Sequence, residues 1–324
     1  MKYLGIDLGG TNIVAGVVDE EYNILSSVKR KTNVPRPEEA ICDDMADAAL
    51  EALEKAGVSI DEVPWIGVGC PGSVNRDSGV VEFTNNLHFH NWPLQQMMED
   101  WLHKKVILEN DANAAAYGEY VAGAAKDAVN AIAITLGTGV GSGIIIDGKI
   151  YEGSNFAGGE MGHMVIVAGG RQCSCGRRGC WEAYASATGL INLTKEAMLE
   201  SQINPDSYLW DMVDGDIDQV NGRTAFDAMR AGDAVGKSIV DKYINYLACG
   251  LVNAINIFQP DTICIGGGIS KEGETLLRPL RAYIRRERYS KHANKQTQLC
   301  VAVLGNDAGV IGAAMLGHAV GESK

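Results

Sequence analysis

Short apolar runs, broken by glycine, asparagine and aspartate, open the chain. Residues 3–6, 13–18 and 24–29 carry β-branched and aromatic side chains in runs too short for a helix. The polar breaks between them predict three β-strands joined as an antiparallel meander. Residues 37–56 then place apolar side chains at the three- and four-residue spacing of an amphipathic helix. The chain is therefore predicted to begin with a small meander followed by a helix.

Strands and helices alternate along the rest of the chain. Predicted strands lie at residues 66–69, 106–109, 131–135, 144–146 and 262–265, and predicted long helices at 234–258, 276–288 and 308–320. The strand at 106–109 runs directly into a further helix that starts at the alanines around Asp111. Such alternation predicts an α/β fold. We expect the last helix to return to the first domain.

Residues 8–18 and 136–146 resemble each other weakly. Both read as a strand, a turn of glycine and threonine, and a second strand, and the turn in the second copy is one residue shorter. Each could be an unrelated glycine-rich hairpin. Two such turns opening two α/β halves nevertheless fit a duplicated fold with a cleft between the halves.

Composition and charge narrow the class of protein. The 324 residues are 46% hydrophobic and 21% charged, which is ordinary for a folded protein and long enough for two domains. A net charge of −13 disfavours nucleic acid as a main partner, because the polyanion would be repelled. The one basic stretch reads as the solvated face of a helix and contains Arg281, Arg285, Arg286, Arg288, Lys291 and Lys295.

The sequence carries no sign of export or of membrane insertion. Asp7 and the glycines after it interrupt the N-terminus before an apolar stretch long enough for a signal peptide, and no run approaches the ~20 residues of a membrane span. Five of the eight cysteines stand singly in apolar segments, as in a reducing compartment. We therefore expect a cytoplasmic protein without a membrane partner.

Three glycine-rich loops suggest a nucleotide. Asp7 to Thr11 and Gly137 to Gly139 are turns whose backbone N–H groups could line phosphates, and each contains a threonine hydroxyl. Residues 266–268 form a third glycine run, after a strand. Either turn alone would more often be a plain hairpin, and neither the P-loop nor the dinucleotide-binding fingerprint is present. Together the three loops predict a nucleotide held across a cleft.

A metal site is predicted from the spacing of three cysteines and one histidine. Cys173, Cys175 and Cys180 follow His163, and three thiolates with one imidazole make a tetrahedral zinc set. A redox pair or free thiols are the alternative, although such a cluster in a reducing cytosol is more often a metal site. Because protein atoms fill all four positions, the zinc is expected to be structural and not catalytic.

Several polar residues could contact a ligand. Asp111 stands between a strand and a helix, where a carboxylate can face a cleft, although a simple helix cap would explain it equally well. Glu160 and Glu182 flank the metal loop and could accept hydrogen bonds from a polyhydroxylated ligand, although they could also be ordinary surface acids. Asn85 and Asn86 could join them, or could serve only the turn in which they lie.

Five motifs occur in the order typical of the ROK family of sugar kinases and repressors. They are Asp7-Leu-Gly-Gly-Thr11, Glu109-Asn-Asp-Ala-Asn113, Leu136-Gly-Thr-Gly-Val-Gly-Ser-Gly143, Glu160-x-Gly-His163 and Cys173-x-Cys-Gly-x-x-Gly-Cys-x-Glu182. The chain resembles that family over nearly its whole length. The resemblance implies a two-domain actin-like ATPase fold of the hexokinase and ribonuclease H type, with an interdomain cleft. On it, residues 1–115 with 306–324 form a small α/β domain, and residues 116–305 form a large one with the zinc loop 163–180.

The resemblance also implies an activity and a role for each motif. It implies ATP- and Mg²⁺-dependent phosphorylation of a hexose, with glucose first, at the 6-hydroxyl, whose proton Asp111 accepts. The other sugar contacts implied are Gly72, Asn85, Asn110, Glu160, His163 and Glu182. The ATP and Mg²⁺ contacts implied are Asp7, Gly9, Gly10, Thr11, Gly137, Thr138, Gly139, Gly267 and Gly268. A homodimer or homotetramer is implied as well.

Other functions stay open at this point. Mannose, N-acetylglucosamine or N-acetylmannosamine could replace glucose as the substrate. A sugar-sensing repressor is disfavoured, because the family's repressors have an N-terminal helix-turn-helix domain and here the first turn begins at Asp7. A sugar-binding or scaffold protein would need neither Asp111 nor the phosphate turns. Turnover of ATP in the presence of a sugar distinguishes a kinase from both.

Overall fold

A computed structural model describes residues 1–84, 87–200 and 207–321, and it contains three β-sheets. The thirteen strands of this part of the chain are β1 (Lys2–Leu8), β2 (Asn12–Asp19), β3 (Ile24–Lys31), β4 (Ile66–Cys70), β5 (Ser73–Asn75), β6 (Val80–Phe83), β7 (His90–Trp92), β8 (Val106–Asn110), β9 (Ala131–Leu136), β10 (Val140–Ile146), β11 (Lys149–Ile150), β12 (Thr262–Gly267) and β13 (Gln298–Val301). The predicted opening meander is confirmed as β1 to β3, which pair antiparallel.

Ten α-helices lie within the described residues. They are α1 (Glu38–Ala56), α2 (Leu94–Leu102), α3 (Asp111–Val121), α4 (Glu182–Ala185), α5 (Ala187–Glu200), α6 (Thr224–Arg230), α7 (Ala234–Phe258), α8 (Glu274–Glu287), α9 (Ala308–Ala314) and α10 (Leu316–Ala319). The single helix predicted at 308–320 is wrong, because the chain leaves helical geometry at Met315 and makes two short helices. No helix described here is long and apolar enough to span a membrane.

The first sheet places its most apolar strands at its centre. Its order is β3-β2-β1-β4-β8, and β1, β4 and β8 run parallel. All five residues of β4 are buried, as expected of a parallel strand that is covered on both faces. Helix α1 covers one face with Ile41, Met45 and Leu53, which recur at helical spacing and are buried.

The second five-stranded sheet repeats the topology of the first. Its order is β11-β10-β9-β12-β13, so that in both sheets the first three strands form a meander and the next two are added beside the first strand. This shared order agrees with the duplication that the weak repeat suggested. Strands β5, β6 and β7 form a third, antiparallel sheet that the sequence did not predict. The α/β fold class is thereby confirmed.

The chain divides into two compact units. The first comprises Met1–Ala133, Ser142–Gly159 and the chain from Ala302, and the second comprises Ile134–Gly141 and Glu160–Val301. This division differs from the expected boundary at residue 115. The reason lies in α3, which continues to Val121 and packs along α9 within the first unit.

Small residues let α9 approach the first sheet and α3 closely. A Cβ atom added to Gly118 of α3 would overlap the backbone of Ala308, and one added to Gly312 of α9 would overlap that of Ala114. The Trp65 indole N–H donates to the Ala314 carbonyl at 2.9 Å. The C-terminal segment is therefore an integral part of the first unit.

In the second unit, the buried helix α7 anchors the end of the cysteine-rich loop. The Trp181 ring is completely buried against Gly250 of α7, and its indole N–H donates to the Tyr246 carbonyl at 3.0 Å. The Tyr243 hydroxyl donates to the Ala185 carbonyl at 2.7 Å. The start of α4, which carries Glu182, is thus fixed on a rigid helix.

Candidate functional site

The N-terminus of α3 follows β8 directly, and Asn110 caps it. The Asn110 Oδ1 accepts the backbone N–H groups of Ala112 and Asn113 at 2.9 and 3.2 Å, and its Nδ2 donates to the Gly72 carbonyl at 3.0 Å. The cap is therefore Asn110 and not Asp111, which is the first residue of the helix. The interpretation of Asp111 as the helix cap is wrong. The structure brings Gly72, Asn110 and Asp111 together.

Two carboxylates of the first unit influence each other at this place. Asp7 lies near the end of β1, and its carboxylate packs against Gly309. Burial and, to a smaller extent, the negative charge of Asp111 together raise the pKa of Asp7 to about 7. Two carboxylates held close together in a site with little water favour the binding of a proton or a cation. Asp7 and Asp111 thus make a centre of negative charge that Mg²⁺ would stabilise.

A network of ion pairs around the buried Glu109 supports the start of α3. The Glu109 Oε1 accepts the Asn110 backbone N–H at 2.8 Å and the Asn113 side-chain amide at 3.0 Å, while its Oε2 lies 3.4 Å from Arg76 Nη1. Arg76 also pairs with Glu152. Burial raises the pKa of Glu109 to about 7, which the Asn113 hydrogen bond opposes. Arg76 therefore joins three segments that are distant in sequence.

The first glycine turn is held by a threonine from the end of β3. Gly9 and Thr11 lie between β1 and β2, and the Gly9 N–H donates to the Asn12 carbonyl at 2.8 Å. The completely buried Thr32 donates its hydroxyl to the Gly9 carbonyl at 2.7 Å and its N–H to the Thr11 carbonyl at 3.0 Å. These carbonyls are thereby occupied inside the protein. Gly10 completes the turn and is partly exposed.

The second glycine turn is held by the start of α5. The Ala187 N–H donates to the Gly137 carbonyl at 2.9 Å, and the Thr188 hydroxyl donates to the Thr138 carbonyl at 2.8 Å. The two turns therefore use the same device, a threonine hydroxyl donated to a turn carbonyl. Gly139 requires glycine for a further reason, since a Cβ atom there would overlap the carboxylate of Glu182.

The third glycine run ends β12 beside the start of the second turn. Gly267 has φ +86°, and a Cβ atom on it would overlap the backbone of Leu136. The Ser270 hydroxyl donates to the Gly267 carbonyl at 2.8 Å. Gly268 has open space on its Cβ side. The second unit thus combines two of the three predicted nucleotide loops, at Gly137 to Gly139 and at Gly267.

The predicted metal ligands converge in the second unit. The ligand atoms of His163, Cys173, Cys175 and Cys180 all lie within 4.8 Å of one another. The Cys175 and Cys180 sulfurs are 3.7 Å apart, and the Cys173 sulfur is 3.6 Å from His163 Nδ1. Cys173 and Cys180 are buried, whereas Cys175 is exposed.

These separations fit zinc. Bonds of about 2.3 Å to sulfur and about 2.0 Å to nitrogen at tetrahedral angles leave two sulfurs about 3.8 Å apart and a sulfur and a nitrogen about 3.6 Å apart. The Cys175–Cys180 and Cys173–His163 distances match those values. Four protein ligands complete the shell, so the metal has a structural role. The second ring nitrogen of His163, Nε2, points away from the metal position because Nδ1 faces it.

Glu182 connects the metal loop with the second glycine turn. Its Oε2 accepts the Val140 N–H at 3.0 Å, and its Oε1 accepts the Ser174 hydroxyl at 3.4 Å. Glu160 is exposed and precedes the short 3₁₀ turn Met161–His163. The His163 N–H donates to the Glu160 carbonyl at 3.1 Å. Glu160, His163 and Glu182 thus belong to one rigid part of the second unit.

Four residues that support the site were not predicted from the sequence. Thr32, Arg76, Glu152 and Thr188 carry no motif, and each acts on a segment far from its own position in the chain. The one sequence signal for Thr32 was its position shortly after a predicted strand. The predicted sugar contact Asn85 lies outside the described residues, as does Asn86.

Each unit carries groups that are suited to phosphoryl transfer chemistry. One unit supplies a carboxylate base candidate, an acidic centre suited to a divalent cation, and a glycine turn. The other supplies a second glycine turn with the loop at Gly267, and a metal-organised group of hydrogen-bonding side chains. Phosphoryl transfer depends mainly on such positioning and charge neutralisation, with little covalent chemistry for the protein itself.

Known proteins resemble the chain over its whole length. A glucokinase of Streptomyces coelicolor is 39% identical over 315 residues, which is 97% of this chain and 96% of the relative. The structure of a ROK family glucokinase from Streptomyces griseus in complex with glucose and AMPPNP is 38% identical, with a TM-score of 0.79 and coverage of 98% of this chain and 99% of that one. This similarity confirms the predicted actin-like ATPase fold.

Repressors of the same family are more distant. The xylose repressor of Bacillus subtilis is 31% identical over 313 residues, which is 95% of this chain and 75% of the repressor. The model of the ROK family matches residues 3–320. Because that match spans both units and all five motifs, the chain belongs to the ROK family.

Proposed function

We propose that this protein transfers the γ-phosphoryl group of ATP to the 6-hydroxyl of glucose, forming glucose 6-phosphate and ADP. The observation that carries the proposal is the position of Asp111 at the head of α3. Asn110 performs the capping there, and a buried network fixes the backbone on either side of Asp111. A glucokinase with glucose and an ATP analogue bound is 38% identical over nearly the full length, which supports this substrate pair.

Asp111 acts as the base. Its carboxylate accepts the proton of the 6-hydroxyl as that oxygen bonds to the γ-phosphorus, while the bond from the γ-phosphorus to the bridging oxygen breaks and ADP leaves. Asp7 contributes negative charge beside it. When bound, Mg²⁺ neutralises the phosphate charge, and we assign its water-mediated contact to Asp7.

The other site residues bind and orient the two substrates. The turn of Gly9, Gly10 and Thr11 and the turn of Gly137, Thr138 and Gly139 bind the phosphates, and Gly267 and Gly268 contact the adenosine. Asn110, Glu160, His163 and Glu182 hold the remaining sugar hydroxyls, and we assign Gly72 and Asn85 as further sugar contacts. Rigid support keeps both turns preorganised, because the threonine bonds occupy the turn carbonyls.

The zinc site contributes to sugar specificity through His163. With His163 Nδ1 on the metal, Nε2 carries the ring proton and donates to a sugar hydroxyl. A site that hydrogen-bonds hydroxyls discriminates against analogues that leave its polar groups unpaired, often by about 10⁴ or more. Glucose is therefore preferred to galactose and to 2-deoxy and N-acetylated analogues.

The test compares sugars with the purified protein and saturating Mg-ATP. We expect the highest kcat/KM for glucose among glucose, mannose, galactose, N-acetylglucosamine and N-acetylmannosamine, with the product identified by phosphorus NMR as the 6-phosphate. A higher value for another hexose would overturn the glucose assignment and leave the kinase assignment standing. Sugar binding without ADP formation for every sugar would overturn the kinase assignment.

A sugar-sensing repressor is the second candidate. The observation in its favour is the 31% identity to the xylose repressor. The glucokinases match with higher identity and share almost the same length, which favours catalysis. Sugar-dependent binding to DNA in a gel-shift assay, without ATP turnover, would support the repressor.

Location and assembly complete the proposal. We assign the protein to the cytoplasm, where ATP is available. None of the eight cysteines, all of which lie in the described residues, forms a disulfide, which agrees with a reducing compartment. We also assign a homodimer or homotetramer. Light scattering on the purified protein measures the mass of the assembly directly.

A further inference from the structure

We propose that a cavity beside the C-terminal end of α8 is a second anion site, which binds a small organic phosphate monoester. The cavity has a volume of about 410 Å³ and lies wholly within the second unit. Three arginines line it, Arg281, Arg285 and Arg288, and they belong to the basic stretch that the proposed kinase activity does not use. Arg281 and Arg285 lie one turn apart on α8, and Arg288 directly follows the end of the helix.

The charges around the cavity are unbalanced. Among the described residues, no aspartate or glutamate lines it, although the chain carries 41 of them. Arg281 is fully engaged, because it donates to the Leu299 carbonyl at 2.9 and 3.2 Å and pairs with Glu274 at 2.8 Å. In the described part of the chain, the side chains of Arg285 and Arg288 have no ion-pair or hydrogen-bond partner. Two positive charges therefore converge on one cavity without a protein counter-charge.

Arg288 has a buried donor without a hydrogen-bond acceptor in the protein. This donor is the Nε atom. Buried N–H donors are nearly always paired in folded proteins, so an unpaired one at a cavity wall is available to an acceptor that enters the cavity. A guanidinium presents its N–H groups as a planar fork that matches two oxygens of a phosphate.

The rest of the lining favours an organic phosphate over a bare ion. Ile255, Ile284 and Leu299 form an apolar part of the wall, and Gln298 adds an exposed amide. A cavity of this volume matches those that hold small organic ligands and is much larger than one phosphate ion. The arginines would bind the phosphate, and the apolar and amide groups would contact the organic part.

This cavity is separate from the proposed nucleotide loops. Gln298 pairs with Thr262 at the amino end of β12, whereas Gly267 ends the same strand at its carboxyl end. The five residue steps between them span about 16 Å at the rise of a β-strand. One ligand the size of a sugar phosphate therefore cannot occupy both places.

The test uses the full-length protein with glucose 6-phosphate, inorganic phosphate and gluconate as probes. Amide shifts of Thr297 and Gln298 in an NMR titration report binding at this cavity, and calorimetry with saturating AMPPNP gives the affinity. We expect glucose 6-phosphate to shift both amides. Arg285→Gln and Arg288→Gln should each weaken its binding about tenfold or more, because each removes charge-assisted hydrogen bonds.

Arg286→Gln is the matched control. Arg286 is the next residue on α8, but it pairs with Glu287 and stacks on Tyr283, so its replacement should leave the affinity unchanged. Equal loss in Arg286→Gln, or no amide shift with any probe, would overturn the site. Binding of inorganic phosphate or gluconate as tight as that of glucose 6-phosphate would overturn the ligand class. A changed oligomeric state in the arginine variants, without phosphate binding, would assign the arginines to a contact between copies and overturn the proposal.

Discussion

Arg76 and Glu109 form a partly buried ion pair close in the chain to the residue that we assign as the base. The Nη1 of Arg76 lies 3.4 Å from Glu109 Oε2, and the other Glu109 oxygen accepts the backbone N–H of Asn110, next to Asp111. Arg76 also pairs with Glu152, so one cation balances two carboxylates. The conformation of the segment around Asp111 therefore depends on a charge contributed by the loop after β5.

Arg76→Ala should destabilise the protein by about 3 kcal/mol, because it leaves buried Glu109 facing Glu152 without the cation. Denaturant unfolding measures the loss. Adding Glu109→Gln to this variant removes one of the stranded charges and should restore part of the stability. If the double variant were less stable than wild type by the sum of the losses in Arg76→Ala and Glu109→Gln, the two residues would not be coupled.

Asp111→Asn should lower kcat by a factor of roughly 10² to 10⁴, the usual contribution of a positioned base. The amide retains the shape of the side chain but cannot accept the proton. Because Asn110 and not Asp111 caps α3, folding and glucose affinity should stay close to normal. Single-turnover kinetics and calorimetry test the two statements separately, and near-normal turnover would remove Asp111 from the mechanism.

Asp7→Asn should stabilise the protein more at alkaline pH than at acid pH. The pKa of Asp7 is about 7 in the folded protein and is near its ordinary value of 3.8 when unfolded. The folded state therefore holds the proton more tightly, and its stability falls as the pH rises from about 4 through about 7. The neutral amide escapes this loss, which amounts to about 1.4 kcal/mol per pKa unit.

Urea unfolding of wild type and Asp7→Asn at about pH 5 and about pH 8 provides the measurement. The gain of the variant in free energy of unfolding over wild type should be larger at the higher pH, because the loss in wild type is only partly developed at about pH 5. The same gain at both pH values would mean that the ionisation of Asp7 is not its source. We also expect the variant to lose turnover, because it no longer assists Mg²⁺ binding.

Cys175→Ser should release zinc and weaken glucose binding. Loss of one thiolate removes much of the metal's binding free energy, on the order of several kcal/mol at structural sites, and the loop that carries Glu182 loses its support. Metal analysis and calorimetry measure both effects. Cys249→Ser, outside the cluster, is the control. Stoichiometric zinc with normal glucose affinity in Cys175→Ser would contradict the role of the metal.

Gly139→Ala should weaken glucose binding even without nucleotide. The added methyl group overlaps the Glu182 carboxylate and breaks its hydrogen bond to the Val140 N–H. We expect a loss of about tenfold, the effect of misplacing one charged hydrogen-bonding group. Gly137→Ala is a matched control in the same turn, because its Cβ meets no atom within 4 Å. Similar glucose affinities of Gly139→Ala and Gly137→Ala would mean that the contact between Gly139 and Glu182 does not affect glucose binding.

Local patterns predicted the parts of the molecule that depend on neighbours in sequence. The opening meander follows from short β-rich runs, and the zinc cluster follows from closely spaced cysteines. The helix cap was a harder case, because Asn110 and Asp111 are both good capping residues and only the backbone geometry chooses between them.

Groups that act across long distances in the chain escaped the sequence interpretation. The Arg76 pair with Glu109 joins residues 33 positions apart, and Thr188 holds a turn 50 positions away. No periodicity reports such contacts. The extension of the first unit beyond residue 115 was not predicted for the same reason. It depends on the packing of Gly118 against α9, which is distant in the chain.

The packing of α9 into the first unit has a consequence for the order in which the protein is completed on the ribosome. Synthesis runs from the N-terminus, and domains generally fold as units once their chain has emerged. Every residue of the second unit is made before Ala302, whereas the first unit needs the segment that follows it. The half of the molecule that begins the chain is therefore the last to have its whole sequence available. Until residues 308–314 have been made, the surface around Gly5, Gly67 and Gly118 lacks the helix that covers it.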